Sequence, residues 1–331
     1  MAIDVGTASA RAGVLDRNGC MLGRAECSIR MNRPEANFAE YDSEDIWQSV
    51  CAAAKGARES ANARPEAIKG ISFDATCSLV IRDALGRQLS VTKTEEPSWD
   101  TISWLDHRAL AEAEECTATG HAVLQYVGGV MSPEMQIPKL MWLKRHFPEC
   151  WANAGYFFDL TDFLTWKASG SEHRSQCTLT SKWTYLGHET PSWQTDFLAE
   201  VDLDDLLERG RLPAVASPVG HDLGPLTDLA ASDLGLTTDC RVGVGMIDAH
   251  AGVLGLLGGC LDDDELAIER HMALIAGTSS SVMALSTDPR PTGGVWGPYF
   301  AAVLPDHWLI DAGQSATGAL LDHLIRWHGE G

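Results

Sequence analysis

One short stretch has the residue types and spacing to hold a phosphate. In Ala2-Ile3-Asp4-Val5-Gly6-Thr7-Ala8-Ser9-Ala10-Arg11-Ala12-Gly13-Val14-Leu15-Asp16, two apolar runs flank a turn of Gly, Thr and Ser, the pattern of a tight β-hairpin. Gly6 permits close backbone approach, Thr7 and Ser9 supply hydroxyl donors, and Arg11 supplies a fixed positive charge. Asp4 ends the first strand and faces the same space. A carboxylate beside a bound anion is repelled unless a Mg²⁺, directly or through its waters, lies between them, which makes Asp4 the candidate metal residue.

The device recurs late in the chain. Ala273-Leu274-Ile275-Ala276-Gly277-Thr278-Ser279-Ser280-Ser281-Val282-Met283-Ala284-Leu285 is again strand, Gly-Thr-x-Ser turn, strand. Aligning Gly6 with Gly277 sets Thr7 on Thr278, Ser9 on Ser280 and Asp4 on Ile275, so only the first copy carries the acid. Such a pair suggests a duplicated fold closing on a nucleotide from both sides, although a motif this short also arises in unrelated turns.

Other segments carry single candidate groups. Gly70-Ile71-Ser72-Phe73 reads as a strand that delivers Asp74 to its carboxyl end, where ligands sit in open α/β sheets; taken alone, Asp74 is a turn acid. Residues 241–247 read as a strand ending at Asp248-Ala249-His250. There Asp248 either caps a helix or points into an interdomain cleft as a general base. Lys182, in Ser181-Lys182-Trp183-Thr184-Tyr185, is by itself a solvated surface lysine. Trp104-Leu105-Asp106-His107-Arg108-Ala109 suits either a sugar, by ring stacking and hydroxyl contacts, or a capped helix start with a surface salt bridge. Ile310-Asp311-Ala312-Gly313-Gln314-Ser315-Ala316-Thr317-Gly318 reads as strand, turn and helix, a geometry that presents backbone N–H groups to a phosphate or nucleotide.

These groups need a frame. Residues 21–29 supply a third strand, and Asp42 followed by Glu44 and Asp45 starts a helix that runs to about Ala63, before Arg64-Pro65. Pro213, Pro218 and Pro225 with Gly220 and Gly224 break regular structure, which places a domain transition around Cys240 and gives domains over 1–240 and 241–331. At 331 residues and 45% hydrophobic, the chain can bury the cores of two globular domains. A formal charge of −21 argues against a general nucleic-acid binder. The 9 cysteines contain no Cys-x-x-Cys pair, so a reducing cytoplasm is expected rather than a disulfide or zinc framework. Neither a signal peptide nor a membrane span is expected, since no apolar run approaches about 18 residues.

Together these motifs resemble the FGGY family of carbohydrate kinases, within the actin, hexokinase and heat-shock ATPase superfamily. Asp74-Ala75-Thr76-Cys77-Ser78, Trp104 to Ala109, Ser181 to Tyr185, Gly294-Val295-Trp296-Gly297-Pro298-Tyr299 and Gly313-Gln314-Ser315 resemble its ribulokinase branch. The resemblance implies an α/β fold of duplicated, ribonuclease H-like domains, and ATP-dependent phosphorylation of a ketopentose, ribulose first. Another ketose or polyol, or a non-catalytic sugar- or nucleotide-binding role, is the alternative. It implies Asp248 as base, Asp4 as the Mg²⁺ residue, and Thr7, Ser9 and Arg11 as the phosphate loop. By the same resemblance Gly277, Thr278, Gly313 and Thr317 contact ATP, and Asp74, Lys182 and Asp311 hold the sugar. Asp311 stands where relatives often carry Glu. Full-length relatives continue through a Gly-rich adenosine-binding segment, so the second domain is expected to be incomplete and apolar surface on 241–320 to be exposed. The expected partners are a small sugar and ATP, without nucleic acid or membrane; a homodimer is kept open.

Overall fold

A computed structural model describes residues 1–94, 98–260, 268–277, 279–314 and 316–328. The first sheet grows from the first hairpin. Ala2–Val5 pairs antiparallel with Ser9–Leu15, which pairs antiparallel with Met21–Ser28. On its other side Ala2–Val5 pairs parallel with Gly70–Ala75, and that central strand holds both Arg241–Gly243 and Met246–Ile247. The strands after Cys240 therefore complete the first sheet, and the transition expected there falls inside it. The single strand expected over 241–247 is divided at Gly245. Its backbone lies so close to the central strand that a Cβ would stand 2.1 Å from the Phe73 carbonyl oxygen and 2.4 Å from Thr161 Oγ1.

Helix Ser43–Ser60 covers one face of this sheet. The Asp42 carboxylate accepts from the N–H groups of Glu44 and Asp45, which also place two acids at the positive end of the helix dipole. The helix ends short of Ala63. Its inner face is Ile46, Val50, Ala53, Ala54 and Ala57, where each fully buried Ile or Val is worth about 1.5–3 kcal/mol. Those alanines, with Gly23 opposite, let helix and strand backbones touch: a Cβ on Gly23 would lie 2.4 Å from Ala61 N.

A five-stranded sheet contains Leu79–Asp83 and the wholly buried Ala154–Asp159. The latter divides two cores, Phe157 facing one while Tyr156 and Phe158 face the other, as strand alternation requires. In the second half, Met272–Ala276, Ser280–Ser286 and Trp308–Gln314 repeat the antiparallel order of the first three strands, and Trp296–Phe300 adds a fourth. Leu256, Met272, Leu274, Val282 and Leu320 are exposed here, so this half carries apolar surface facing solvent. Among the described residues no helix is long and apolar enough to cross a membrane, and the described cysteines are all free.

Candidate functional site

A cleft of about 600 Å³ lies between the first sheet and the second hairpin. Asp4, Thr7 and Arg11 line it from the first hairpin, Gly277 and Ser280 from the second, and Asp74, Lys182, Asp248, Asp311 and Gly313 from between. Thr278 lies outside the described residues. Two expected residues do not line the cleft. Ser9 is buried, its hydroxyl taken by the Glu26 carboxylate from the neighbouring strand. Thr317 stands behind the wall, with Oγ1 2.8 Å from Ser280 Oγ, and the Gly318 N–H donates to the Gly277 carbonyl at 3.1 Å. That contact sets the start of helix Gly318–His328 against the second turn.

The two hairpins differ in length. Val5 pairs with Ala10 whereas Ala276 pairs with Ser280, so the second turn (277–279) is one residue shorter than the first (6–9). By register Ser281, opposite Ile275, occupies the place of Arg11, opposite Asp4. Arg11 Nη1 donates to Asp4 Oδ2 at 2.8 Å, an ion pair whose two places in the second hairpin are held by the uncharged Ser281 and Ile275.

Asp248 is the first residue of helix Asp248–Leu257 rather than its cap; the cap position is Ile247, with no side-chain bond. Its Oδ1 accepts from Ala249 N at 2.8 Å. Burial pushes its carboxyl up to about 6, with Asp4 adding to the shift while the Ala249 N–H and Lys182 oppose it. The junction is fixed from below: Ile247 N donates to Cys177 Sγ at 3.4 Å, and His250 Nδ1 sits 3.1 Å from the same sulfur.

Lys182 is not a solvated lysine. Its ammonium lies 5.1 Å from the centre of the Trp296 ring. Burial opposes its charge, but Cys77, Tyr299, Glu134 and Asp311 hold its pKa above the ordinary lysine value. Asp311, in the strand Trp308–Gln314, has its carboxyl raised by burial and lowered by Lys182 and a Ser281 hydrogen bond. Its Oδ1 is buried with no hydrogen-bond partner, an acceptor left open beside the cleft. Asp74 belongs to a strand, not a turn, and burial, then Asp4 and Asp248, push its carboxyl up to about 8.

Glu134 and Trp296 also line the cleft, although no local pattern marks either for a role of its own. Glu134 sits in Ser132-Pro133-Glu134, just before helix Gln136–His146, where nothing but a helix approach is legible. Asp106 and Arg108 correct an expectation. Their ion pair, 2.8 Å, is wholly buried rather than on the surface, and Arg108 Nη2 also reaches Glu40 at 2.9 Å. The Phe38 and Trp142 rings cover the guanidinium, and Asp106 caps nothing because Ala109 holds the cap position.

Among the described residues no group of three or more His, Cys, Asp and Glu side chains forms a metal cage. Mg²⁺ needs none, since it keeps several waters and is bound by one or two carboxylates plus substrate phosphates. Asp4, Asp74 and Asp248 face one cleft, an oxygen-rich lining that suits a hard divalent cation.

Known proteins share both halves of this chain. Residues 1–255 match the FGGY family of carbohydrate kinases, N-terminal domain, and residues 272–330 its C-terminal domain. An FGGY carbohydrate kinase domain-containing protein of Danio rerio is 45% identical, over 98% of this chain and 61% of its own length. A D-ribulokinase of Saccharomyces cerevisiae is 39% identical, over 98% of this chain and 49% of its own. The chain spans about three fifths of the length of the first of these relatives. In structure, a xyloylose kinase from Brucella ovis superposes with a TM-score of 0.80 at 21% identity, covering 99% of this chain and 63% of that one. A Plasmodium falciparum glycerol kinase with ADP gives 0.78 at 14%, covering 98% and 62%, so the fold is that of the actin and hexokinase-like sugar kinases. The match of both family domains in order, and the identity to full-family relatives, place this chain in the FGGY family of carbohydrate kinases.

Proposed function

We propose that the cleft serves ATP-dependent phosphorylation of a ketopentose, ribulose to ribulose 5-phosphate. The observation that carries this reading is the position of Asp248 in one cleft between polyol-matching groups and two phosphate-type turns. On one side Lys182, Asp74 and Asp311, with its open Oδ1, suit neighbouring sugar hydroxyls; on the other, Thr7, Arg11, Gly277 and Gly313 suit ATP. Thr317 supports the second turn from behind through Ser280, and Ser9 supports the first from beneath. The name of the yeast relative, a D-ribulokinase, supports the choice of sugar and of hand.

Phosphoryl transfer asks the protein for positioning, charge neutralisation and a proton acceptor. Asp248, ionised above about pH 6, accepts the proton of the terminal hydroxyl as that oxygen bonds to the γ-phosphorus and ADP departs. Lys182 and Asp311 hold the remaining hydroxyls so that the reacting one meets Asp248. Arg11 and the turn N–H groups neutralise the phosphates. Asp4 would hold Mg²⁺, which would add to the neutralisation of the phosphate charge when bound. Closure of the two halves around the cleft excludes water and limits hydrolysis of ATP.

The test is a coupled assay of ADP release with D-ribulose, L-ribulose, xylulose and glycerol. Ribulose-dependent turnover is the expected result for a chain of the relatives' full length. No ADP release with any sugar, with sugar binding intact, would favour a non-catalytic binding role.

A further inference from the structure

The Thr7 hydroxyl faces the phosphate side of the cleft. Two groups hold Thr7. The Tyr41 hydroxyl donates to its carbonyl oxygen at 2.8 Å, and the Trp104 indole Nε1–H donates to its Oγ1 at 3.1 Å. An indole nitrogen only donates, so at this bond the Thr7 hydroxyl must accept. Its own proton is then directed elsewhere, and among the described residues it meets no other hydrogen-bond partner. Thr7 and Trp104 both line the cleft.

Trp104 is itself held by the framework of the sugar side. Its N–H donates to Ser78 Oγ at 3.1 Å, and its carbonyl oxygen accepts from Lys139 Nζ at 3.4 Å. Lys139 is fully buried and also donates to the Ser103 carbonyl oxygen at 2.8 Å. Ser78 pairs with Thr76 Oγ1 at 3.2 Å, and the Thr76 N–H donates to the Val5 carbonyl oxygen, next to the turn, at 3.0 Å. The indole thus spans from the segment after Asp74 to the phosphate turn.

We propose that Trp104 is a positioning residue that fixes the polarity of the Thr7 hydroxyl, turning its proton toward the bound phosphate, and so ties the sugar compartment to the first phosphate hairpin. The proposal rests on the kinase reading only for its catalytic readout. Trp104→Phe keeps an aromatic ring but removes the donor. A hydroxyl free to rotate stabilises the phosphate less, and a lost hydrogen bond of this kind corresponds to about a tenfold change.

The experiment combines kinetics with hydrogen exchange on the full chain. Trp104→Phe is expected to lower ribulose-dependent kcat about tenfold while KM for ribulose moves less than about threefold. In a Thr7→Val background the same change is expected to cost little more, because Trp104 acts through a hydroxyl already removed. Additive losses, or a KM effect without a kcat effect, overturn the proposal. If the parent chain shows no sugar-dependent turnover, the kinase reading fails on its own, and the tie is still read without ligand. Amide exchange over residues 5–9 should quicken in Trp104→Phe relative to the parent, and unchanged exchange there overturns the proposal.

Discussion

Asp4 and Asp74 are direct register partners on adjacent parallel strands, and their carboxyl groups share a hydrogen bond. Met246 pairs with Asp74 from the far side, which carries Asp248, two residues on, to the same end of the sheet. Three acids thus converge because three parallel strands end together, and the ends of such strands are where α/β sheets hold ligands.

The convergence has a consequence for stability. Asp74 titrates near 3.8 in an unfolded chain and near 8 in the folded one, where burial first and Asp4 and Asp248 second keep its proton on. Between those values the folded state binds the extra proton, so stability falls as pH rises through the window. Asp74→Asn should therefore melt at a higher temperature than the parent at pH 8, with the difference shrinking toward pH 4, as read by calorimetry. The same variant should bind ribulose more weakly. Equal melting temperatures at pH 8 would remove the acid cluster as a source of strain.

Asp248→Asn should lower kcat by about 10² or more while sugar affinity changes less, since the amide keeps the shape but accepts no proton. In the parent, kcat should fall as pH drops through about 6, where Asp248 takes up its proton. A pH–rate profile flat through that region, or near-normal turnover of the variant, assigns the proton to another acceptor.

Ribulose should be turned over in preference to glycerol and xylulose, because a site built to pair hydroxyls penalises analogues that leave its groups unmatched. Lys182→Met should raise KM for ribulose about tenfold or more, by removing the ammonium held between Trp296 and Asp311. Glycerol used as well as any ketopentose would sink the ribulose assignment.

Leu320, Leu321, Leu324 and Ile325 form one exposed face of helix Gly318–His328, close in sequence and helical spacing, and Met272 and Leu274 are exposed on the edge strand. Apolar surface of this extent promotes association. The chain alone should bind a hydrophobic dye and self-associate with rising concentration. Leu321→Glu with Ile325→Glu should reduce self-association in sedimentation. A monodisperse parent chain without dye binding is the contrary outcome.

Both hairpins, the Asp42-capped helix, the strand that carries Asp74, and the strand and helix on either side of residues 315–317 could be read from the sequence, although Gly313, expected in the turn, belongs to the strand. Each depends on residues within a few positions of one another: turn glycines, a capping acid, alternating apolar side chains. Family motifs then indicated which of those local elements belong to one site. Other features were not legible because they depend on which distant segments meet. Ser9 has the right type for a phosphate loop, yet Glu26, on the neighbouring strand, takes its hydroxyl. Asp106 and Arg108 resemble a surface pair until Glu40, Phe38 and Trp142 close over them. Glu134 enters the cleft only because the start of its helix is packed beside Lys182. The chain by itself determined its local elements and the chemistry each can offer. Tertiary structure alone decided burial, hydrogen-bond polarity and the pKa of each acid, since those are set by neighbours brought together across sequence separations that no local pattern encodes.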